Sequence, residues 1–352
     1  MNYSFSIISP TDELWKSFAQ SSDCSVFFTK NWNEYLRYLG RKAIFIEISS
    51  GEEVIGCFVG STRWLGVRVI TAPPMGTGTY SQGLCLYNAV SQIERIEIYC
   101  QLANWLFSKQ KIGYFQVCDW LLRSDDGDIP ENHIVSYLKS AGVHFQSRTT
   151  YYLDLRFPEE ELWKRLHYKS CKYAINKAQK EGLSVRVVNR REEIDAFVDQ
   201  HRSHVVDVLR RKKNKGLPCQ SRKYISALCH SLFPDNVLML QVVGHDEEGK
   251  EVSMSSGVFA FNEGVSTYYT AGSYQQFMHY CPNELMVWEA MRLLHEKGVK
   301  ELIFGGIGHY KKKFGSVSTF VPVLVFSRYR FLLDFRRKIK IIYQKAIHII
   351  HP

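Results

Sequence analysis

Two stretches of this sequence, 188 positions apart, run through the same succession of three strands, a helix and a strand. Runs rich in β-branched and aromatic residues predict strands at Ala43–Ile48, Val54–Gly60, Val67–Thr71 and Tyr114–Cys118. A helix is predicted over Ile93–Gln110, where Ile96, Cys100, Ala103 and Phe107 recur at helical spacing. The second half gives strands at Val237–Val243, Ser255–Phe261 and Val265–Ala271, a helix over Pro282–Lys297 and a strand at Glu301–Phe304. The shift lays Ala103 on Met291, Leu106 on Leu294, Lys109 on Lys297 and Tyr114 on Leu302. Identity between the halves is poor, so what repeats is the pattern. It predicts two α/β domains of the α+β kind, 1–150 and 151–327, each a mixed sheet flanked by helices.

Helices at Tyr168–Glu181 and Arg191–Arg211 are expected between the halves, the first ending at Gly182, a natural C-cap. After the second domain, Leu332, Phe335, Ile339, Ile342, Ala346 and Ile349 form one apolar stripe, so 328–352 reads as a basic amphipathic helix. It predicts either docking on the protein body or peripheral contact with an anionic membrane.

Charge is unevenly placed. The net charge is +10, yet from His309 onward there are ten Lys and Arg residues against the single acid Asp334. Residues 1–308 are therefore nearly neutral, which argues against a general nucleic-acid-binding surface and against DNA as a partner. The nine cysteines are odd in number, show no C-x-x-C spacing and sit mostly in apolar runs, as reduced, buried thiols do. Met1–Pro10 has no basic start followed by an apolar run, and no stretch is long and apolar enough to span a bilayer. The expected location is cytoplasmic.

Three segments carry a resemblance. Lys172–Gly182 is similar to the basic helix R-x-x-I-R-K-A-x-x-x-G of FemAB-type proteins, with Lys172 and Asn176 departing from it. Pro282–Ala290, followed by Lys297-Gly298, resembles P-x-x-L-L-x-W-x-A-I and its closing glycine. Phe304-Gly305-Gly306 and Tyr310–Gly315 resemble F-G-G…F-K-x-x-F-G, with Tyr310 in a Phe slot. Their order resembles the FemAB-like GNAT acyltransferases over about residues 150–318. That resemblance implies two tandem GNAT-like domains around a cleft. It also implies transfer of an acyl or aminoacyl group to an amine of an anionic, cell-envelope or polysaccharide-related acceptor, lipid- or nucleotide-linked. Charged tRNA serves some members as donor, but the helical-hairpin arm of those enzymes has no counterpart here. A double-GNAT binding protein without catalysis is a further alternative.

Amine acylation needs a neutral amine, a proton acceptor and donors for the developing oxyanion. The resemblance places Lys311 and Tyr310 in the family's catalytic segment; Lys172 and Lys215 are candidate anion contacts lining the cleft. Asp119, just past the strand Tyr114–Cys118, is a candidate proton acceptor or contact for the substrate amine, and Tyr269 a substrate contact. In GNAT folds the donor's pyrophosphate meets the N-terminus of the helix that here begins near Pro282. Cys281, Asn283 and Glu284 are therefore the candidates for binding acetyl-CoA or another acyl-CoA. Ordinary acetyl-CoA enzymes carry [RQ]-x-x-G-x-[GA] there, whereas this chain has Gln275–Cys281 without a glycine. His201, His204 and Asp207 have helical spacing, but a zinc site wants a further strong ligand, so no metal is expected.

Overall fold

The computed structural model describes residues 2–21, 25–74, 83–124, 133–213, 221–305 and 308–329. Lys215 and residues 330–352, which hold the stripe of the expected C-terminal helix, lie outside the described residues.

In the first half, β1 (Tyr3–Ile8), α1 (Asp12–Gln20) and α2 (Lys30–Tyr38) precede an antiparallel run of β2 (Lys42–Ser50), β3 (Glu53–Trp64) and β4 (Arg68–Ala72). The short β5 (Leu84–Leu86) pairs with β3. Helix α3 (Gln92–Lys109) then carries the chain back, so that β6 (Tyr114–Cys118) lies parallel to β4. α4 (His133–Ser140) leads to β7 (His144–Asp154). Helix starts follow from side-chain caps: Thr11, Thr29 and Ser91 accept from the amides of Leu14, Trp32 and Glu94 at 3.1–3.2 Å.

The second half opens with α5 (Glu159–Arg165), whose first turn holds Glu159, Glu160 and Glu161 and whose last turn holds Lys164 and Arg165, as the helix dipole favours. A π-helical turn, Tyr168–Lys172, runs into α6 (Tyr173–Lys180). Then come β8 (Ser184–Val187), α7 (Ile194–Arg211), α8 (Arg222–Leu232), β9 (Val237–His245), β10 (Glu251–Phe261) and β11 (Val265–Ser273). α9 (Pro282–Glu296), β12 (Glu301–Ile303), α10 (His309–Lys312) and β13 (Val317–Ser327) complete the described chain.

All these strands except β5 lie along one path, β1-β2-β3-β4-β6-β13-β7-β12-β11-β10-β9-β8. Read inward from either end, the order is the same: four antiparallel strands, one parallel strand, one antiparallel strand. The repeat is therefore real, but its innermost strands are exchanged. β7, from the first half, pairs with β12, and β13, from the end of the second, pairs with β6. The two exchanged strands pair with each other over nine residues, from Val317↔Tyr152 to Val325↔His144. Residue 150, the expected division, lies inside β7. Pro322 is tolerated in this central position for a geometric reason. Phe320 exchanges backbone hydrogen bonds with Ser124, so Pro322, two residues on, points its nitrogen to the same side. There the β6 ladder begins only at Val323.

Helices cover both faces. α3 packs its buried Ile96, Tyr99, Leu102 and Leu106 on the first-half strands, and α6 and α9 cover one face of the second. On the other face α7 and α8 share a core with Trp32, Tyr35 and Leu36 of α2, so a first-half helix completes a second-half core. Close approach of α7 requires Gly272, where a Cβ would come within 2.5 Å of the His204 backbone. Glu301 ties the halves further, accepting from Trp120 Nε1 at 2.7 Å and from Arg123 at 2.6 Å. The Arg123 guanidinium lies 4.7 Å over the Trp120 ring.

Candidate functional site

β11 and β12 pair through three residues only, Val265↔Glu301, Ser266↔Leu302 and Thr267↔Ile303. Beyond them β11 continues to Ser273 while the other chain leaves at Phe304, so the strands part and open a groove. α9 begins beneath it. Cys281, its N-cap, is held in the left-handed region at φ 61°, Pro282 follows at the first helical position, and no side chain caps the helix. Orphan amides and the positive end of the dipole therefore face the groove's base, an arrangement that suits an anion. In place of a glycine-rich loop, Gln275–Tyr280 forms a 3-10 turn, and the strained cap falls on a cysteine.

A chain of aromatic rings packs beside the groove. Tyr268 meets Phe304 at 5.7 Å between centroids, Phe304 meets Phe314 at 5.7 Å, and Phe314 meets Tyr310 at 5.3 Å. Lys313 pairs with Glu284 in the first turn of α9 and lies 4.2 Å over the Tyr310 ring. The Tyr310 hydroxyl is held well above its ordinary pKa, by burial first and then by the Glu284 carboxylate. Half-buried Lys311 donates from Nζ to the Phe304 carbonyl at 3.2 Å. Burial lowers its pKa to about 8, with the Lys212 cation adding to the effect. Asn283 Nδ2 donates to Ser273 Oγ at 3.2 Å and so ties the helix start to the end of β11. The Cys281 thiol is pushed up by burial and then by Glu284, against the opposing influence of Lys177 and Lys313.

Lys311, Tyr310, Cys281, Asn283 and Glu284 thus come together. Lys172 lies beside them at the start of α6, its Nζ donating to the Lys164 carbonyl at 3.2 Å, 5.9 Å from the Trp163 ring. Tyr269 turns away: its hydroxyl is 2.9 Å from that of Tyr35, in the joint between the halves. Its neighbour Tyr268 faces the groove instead, because side chains alternate along a strand. Asp119 lies elsewhere, accepting from Arg95 Nε at 2.7 Å, the Tyr99 hydroxyl at 2.6 Å and the Leu121 amide at 3.0 Å. Lys313, which holds Glu284, is the residue that sequence reasoning missed, since a run of three lysines does not tell which one turns inward.

The corresponding place in the first half is filled. Past the β4–β6 pairing, Tyr99 and Arg95 of α3 reach across to Asp119, the Leu84 amide donates to the Tyr99 hydroxyl at 3.0 Å, and Ser91 caps the helix. Self-filled as it is, that site leaves the second-half groove as the candidate donor site.

His201 and His204 are fully buried, and the Nδ1 atoms of both reach Ser256 Oγ. Asp207 binds Arg211 and the Gln275 amide instead. Among the described residues no cluster of three or more His, Cys, Asp or Glu could hold a metal ion. A cavity of about 600 Å³ shares the 275–280 turn with the groove and is lined by Gln200, Ser253, Tyr274, Phe277 and Tyr280. Its rim is acidic, but Asp246 accepts from two amides of its own hairpin and Glu251 pairs with Arg186. Apart from that shared turn, none of the groove residues above lines it.

The family model described as Acetyltransferase (GNAT) domain matches residues 165–313, the part of the chain that builds the groove. None of the curated proteins matches the chain by sequence. Among solved structures, the crystal structure of FemX aligns over 90% of this chain and 96% of its own, with 13% identity and a TM-score of 0.66. A tandem GNAT protein from the clavulanic acid biosynthesis pathway aligns over 93% and 98%, with 12% identity and a TM-score of 0.53. The L-PGS from Bacillus licheniformis aligns over 93% and 94%, with 14% identity and a TM-score of 0.51. At such identities the likeness is one of fold, that of two GNAT-like units in tandem.

Proposed function

We propose, on the premise that residues 165–313 form a GNAT-type acetyltransferase domain, that this protein is an N-acyltransferase whose second-half groove takes the acyl donor. The acceptor in this reading is an amine on an anionic, cell-envelope or polysaccharide-related molecule. The observation that carries the reading is the parting of β11 and β12 directly over the uncapped start of α9, with Lys311 at the groove wall. The FemAB-like motifs at Lys172–Gly182, Pro282–Ala290 and Tyr310–Gly315 support the acceptor class.

The groove fits the phosphates of an acyl-CoA: amides at the start of α9 are left over for an anion, and Lys313 neutralises the one carboxylate there, Glu284. Bound there, a coenzyme A thioester supplies an activated acyl group with a good leaving thiol. In the transfer, the acceptor nitrogen forms a bond to the carbonyl carbon and the bond to the leaving sulfur breaks. The proton lost by the amine passes to the thiolate or to water. With charged tRNA as donor the bond that breaks is the ribose ester, and the residue roles are otherwise the same. Lys311 acts as a cation toward phosphate or the developing oxyanion.

Lys311→Ala is expected to weaken donor binding or transfer by about 1.5–3 kcal/mol, roughly tenfold to a hundredfold, with little change in thermal stability. Because burial brings Lys311 to about pH 8, its charge is present below that value and lost above it. Donor affinity should therefore fall as pH rises through about 8 and become flat in Lys311→Ala. A rate that climbs through the same range would assign Lys311 to proton removal instead. Melting curves with acetyl-CoA and with charged tRNA identify the donor, since a ligand at one hundred times its Kd stabilises the fold by about 2.7 kcal/mol. If neither shifts the melting temperature, the groove is not a donor site.

A further inference from the structure

The β3–β4 hairpin ends in an exposed apolar tip. Trp64 is 69% exposed and Leu65 49%, large values for side chains of this kind, and the turn is Arg63-Trp64-Leu65-Gly66-Val67-Arg68. The hairpin does not stand alone. Gly113 seats it: a Cβ there would come within 2.8 Å of Val67, and the Gly113 amide donates to the Arg68 carbonyl at 2.9 Å. The Gly113 carbonyl in turn accepts from the Arg328 amide at 3.1 Å, so the end of β13, with Tyr329 41% exposed, lies against the same loop. Arg68 donates to the Gln110 carbonyl, and Arg328 to the Phe107 carbonyl, at 3.2 Å each. Lys42 pairs in register with Thr62 at the hairpin's base.

Charge around the hairpin has one sign. Lys42, Arg63, Arg68, Lys109, Lys111 and Arg328 gather there, while residues 36–46, 60–72, 104–118, 139–153 and 317–329 contain no Asp or Glu. These segments supply the strand ends and loops around the hairpin; the end of β1, which leads to Asp12 and Glu13, lies on the same side two strands from β3. An exposed tryptophan and leucine ringed by cations, with no acid in the adjoining segments, is the composition of a surface that meets acidic headgroups and the aromatic layer beneath them.

We infer that this end of the sheet docks on an anionic lipid bilayer, with Trp64 and Leu65 entering the interface and the surrounding cations meeting the headgroups. The contact inferred is a peripheral one; no described helix is long and apolar enough to cross a membrane. The inference stands apart from the acyl-transfer reading, because the docking residues are remote from the groove's own. The topology nonetheless relates the two. β12 and β13 are both antiparallel to β7 and therefore run the same way. The groove opens past the end of β12, and the β3–β4 tip lies on the same side of the sheet, four strand steps from β12 to β4, or about 90° of twist.

Co-sedimentation of the full chain with vesicles tests the inference. Binding is expected to phosphatidylserine-containing vesicles at low salt, to weaken in high salt, and to be far weaker on pure phosphatidylcholine. Trp64→Ser with Leu65→Ser should reduce partitioning about tenfold, and Arg63→Gln with Lys109→Gln about fivefold for each cation removed. Trp64→Phe should retain most of the binding. These side chains are exposed, and unchanged melting curves verify that each variant folds. If the Trp64/Leu65 variant sediments like the parent, any membrane contact lies elsewhere and the inference is overturned. Loss of single-stranded RNA binding in the cation variant, with no vesicle binding by the parent, would overturn it in favour of a nucleic-acid face.

Discussion

Asp119→Ala is expected to lower the stability of the fold by about 3–5 kcal/mol, the usual consequence of leaving one buried charge without its partner. Arg95 is 3% exposed and Asp119 4%, and a carbonyl contact such as that with Leu84 at 2.8 Å does not neutralise the guanidinium. The carboxylate also accepts from the Tyr99 hydroxyl, whose own pKa burial and Asp119 raise well above the ordinary value. Asp119→Asn, which preserves shape and can still accept, should cost less. Urea unfolding measures both: the midpoint should fall with an unchanged slope. A variant as stable as the parent but slow in transfer would return Asp119 to the proton-acceptor role its sequence position suggests.

The second large effect is acid destabilisation through the histidine pair. His204 Nε2 lies 3.1 Å from the Ser253 carbonyl and must donate to it, which leaves Nδ1 to accept from Ser256 at 2.7 Å. Ser256 Oγ then accepts from His201 Nδ1 at 2.8 Å. Both rings are therefore neutral, and burial lowers their pKa values to about 3 for His201 and about 4 for His204. A histidine depressed in the folded state leaves stability intact above the unfolded pKa of about 6.5. Below it the unfolded chain takes up protons that the folded chain refuses. Stability should thus decline by about 1.4 kcal/mol per histidine for each pH unit from about 6.5 toward 4. Unfolding free energies at pH 7, 6 and 5 in the parent and in His204→Gln give the slope, which should be shallower in the variant. Equal slopes would mean that the pair is solvated in the folded state.

Much of the architecture was open to reading from residue patterns, and the failures have a common cause. The strand Tyr114–Cys118 and the helices around Ile93–Gln110 and Pro282–Lys297 could be read because they are set by local periodicity. β7 and β13 escaped although Val317–Ser327 is rich in β-branched and aromatic residues. Their partners come from the opposite half, and a pattern search that seeks each domain's strands within its own span has no reason to connect them. In the site, motif position located Lys311, Tyr310, Cys281, Asn283 and Glu284, which the fold brings together. Tyr269 was chosen where Tyr268 lines the groove, since two adjacent tyrosines on one strand differ only in which face the register assigns them. Asp119 resembled a cleft residue because it follows a strand end. The reach of Arg95 and Tyr99 from α3, which fills that cleft, is tertiary information.

The exchange of β7 and β13 has a consequence for biosynthesis. β6 is complete at Cys118, but its partner begins at Val323, about 200 residues later. At a translation rate of about 5–20 residues per second, the nascent chain carries that edge uncovered for roughly 10–40 s. An open strand edge recruits whatever strand comes near, and on a crowded polysome the nearest is the same edge of a neighbouring nascent chain. Holding β6 apart until the last strand leaves the ribosome is then a task for chaperones. Synonymous codons that slow translation after Cys118 should lower the soluble yield without altering the protein made.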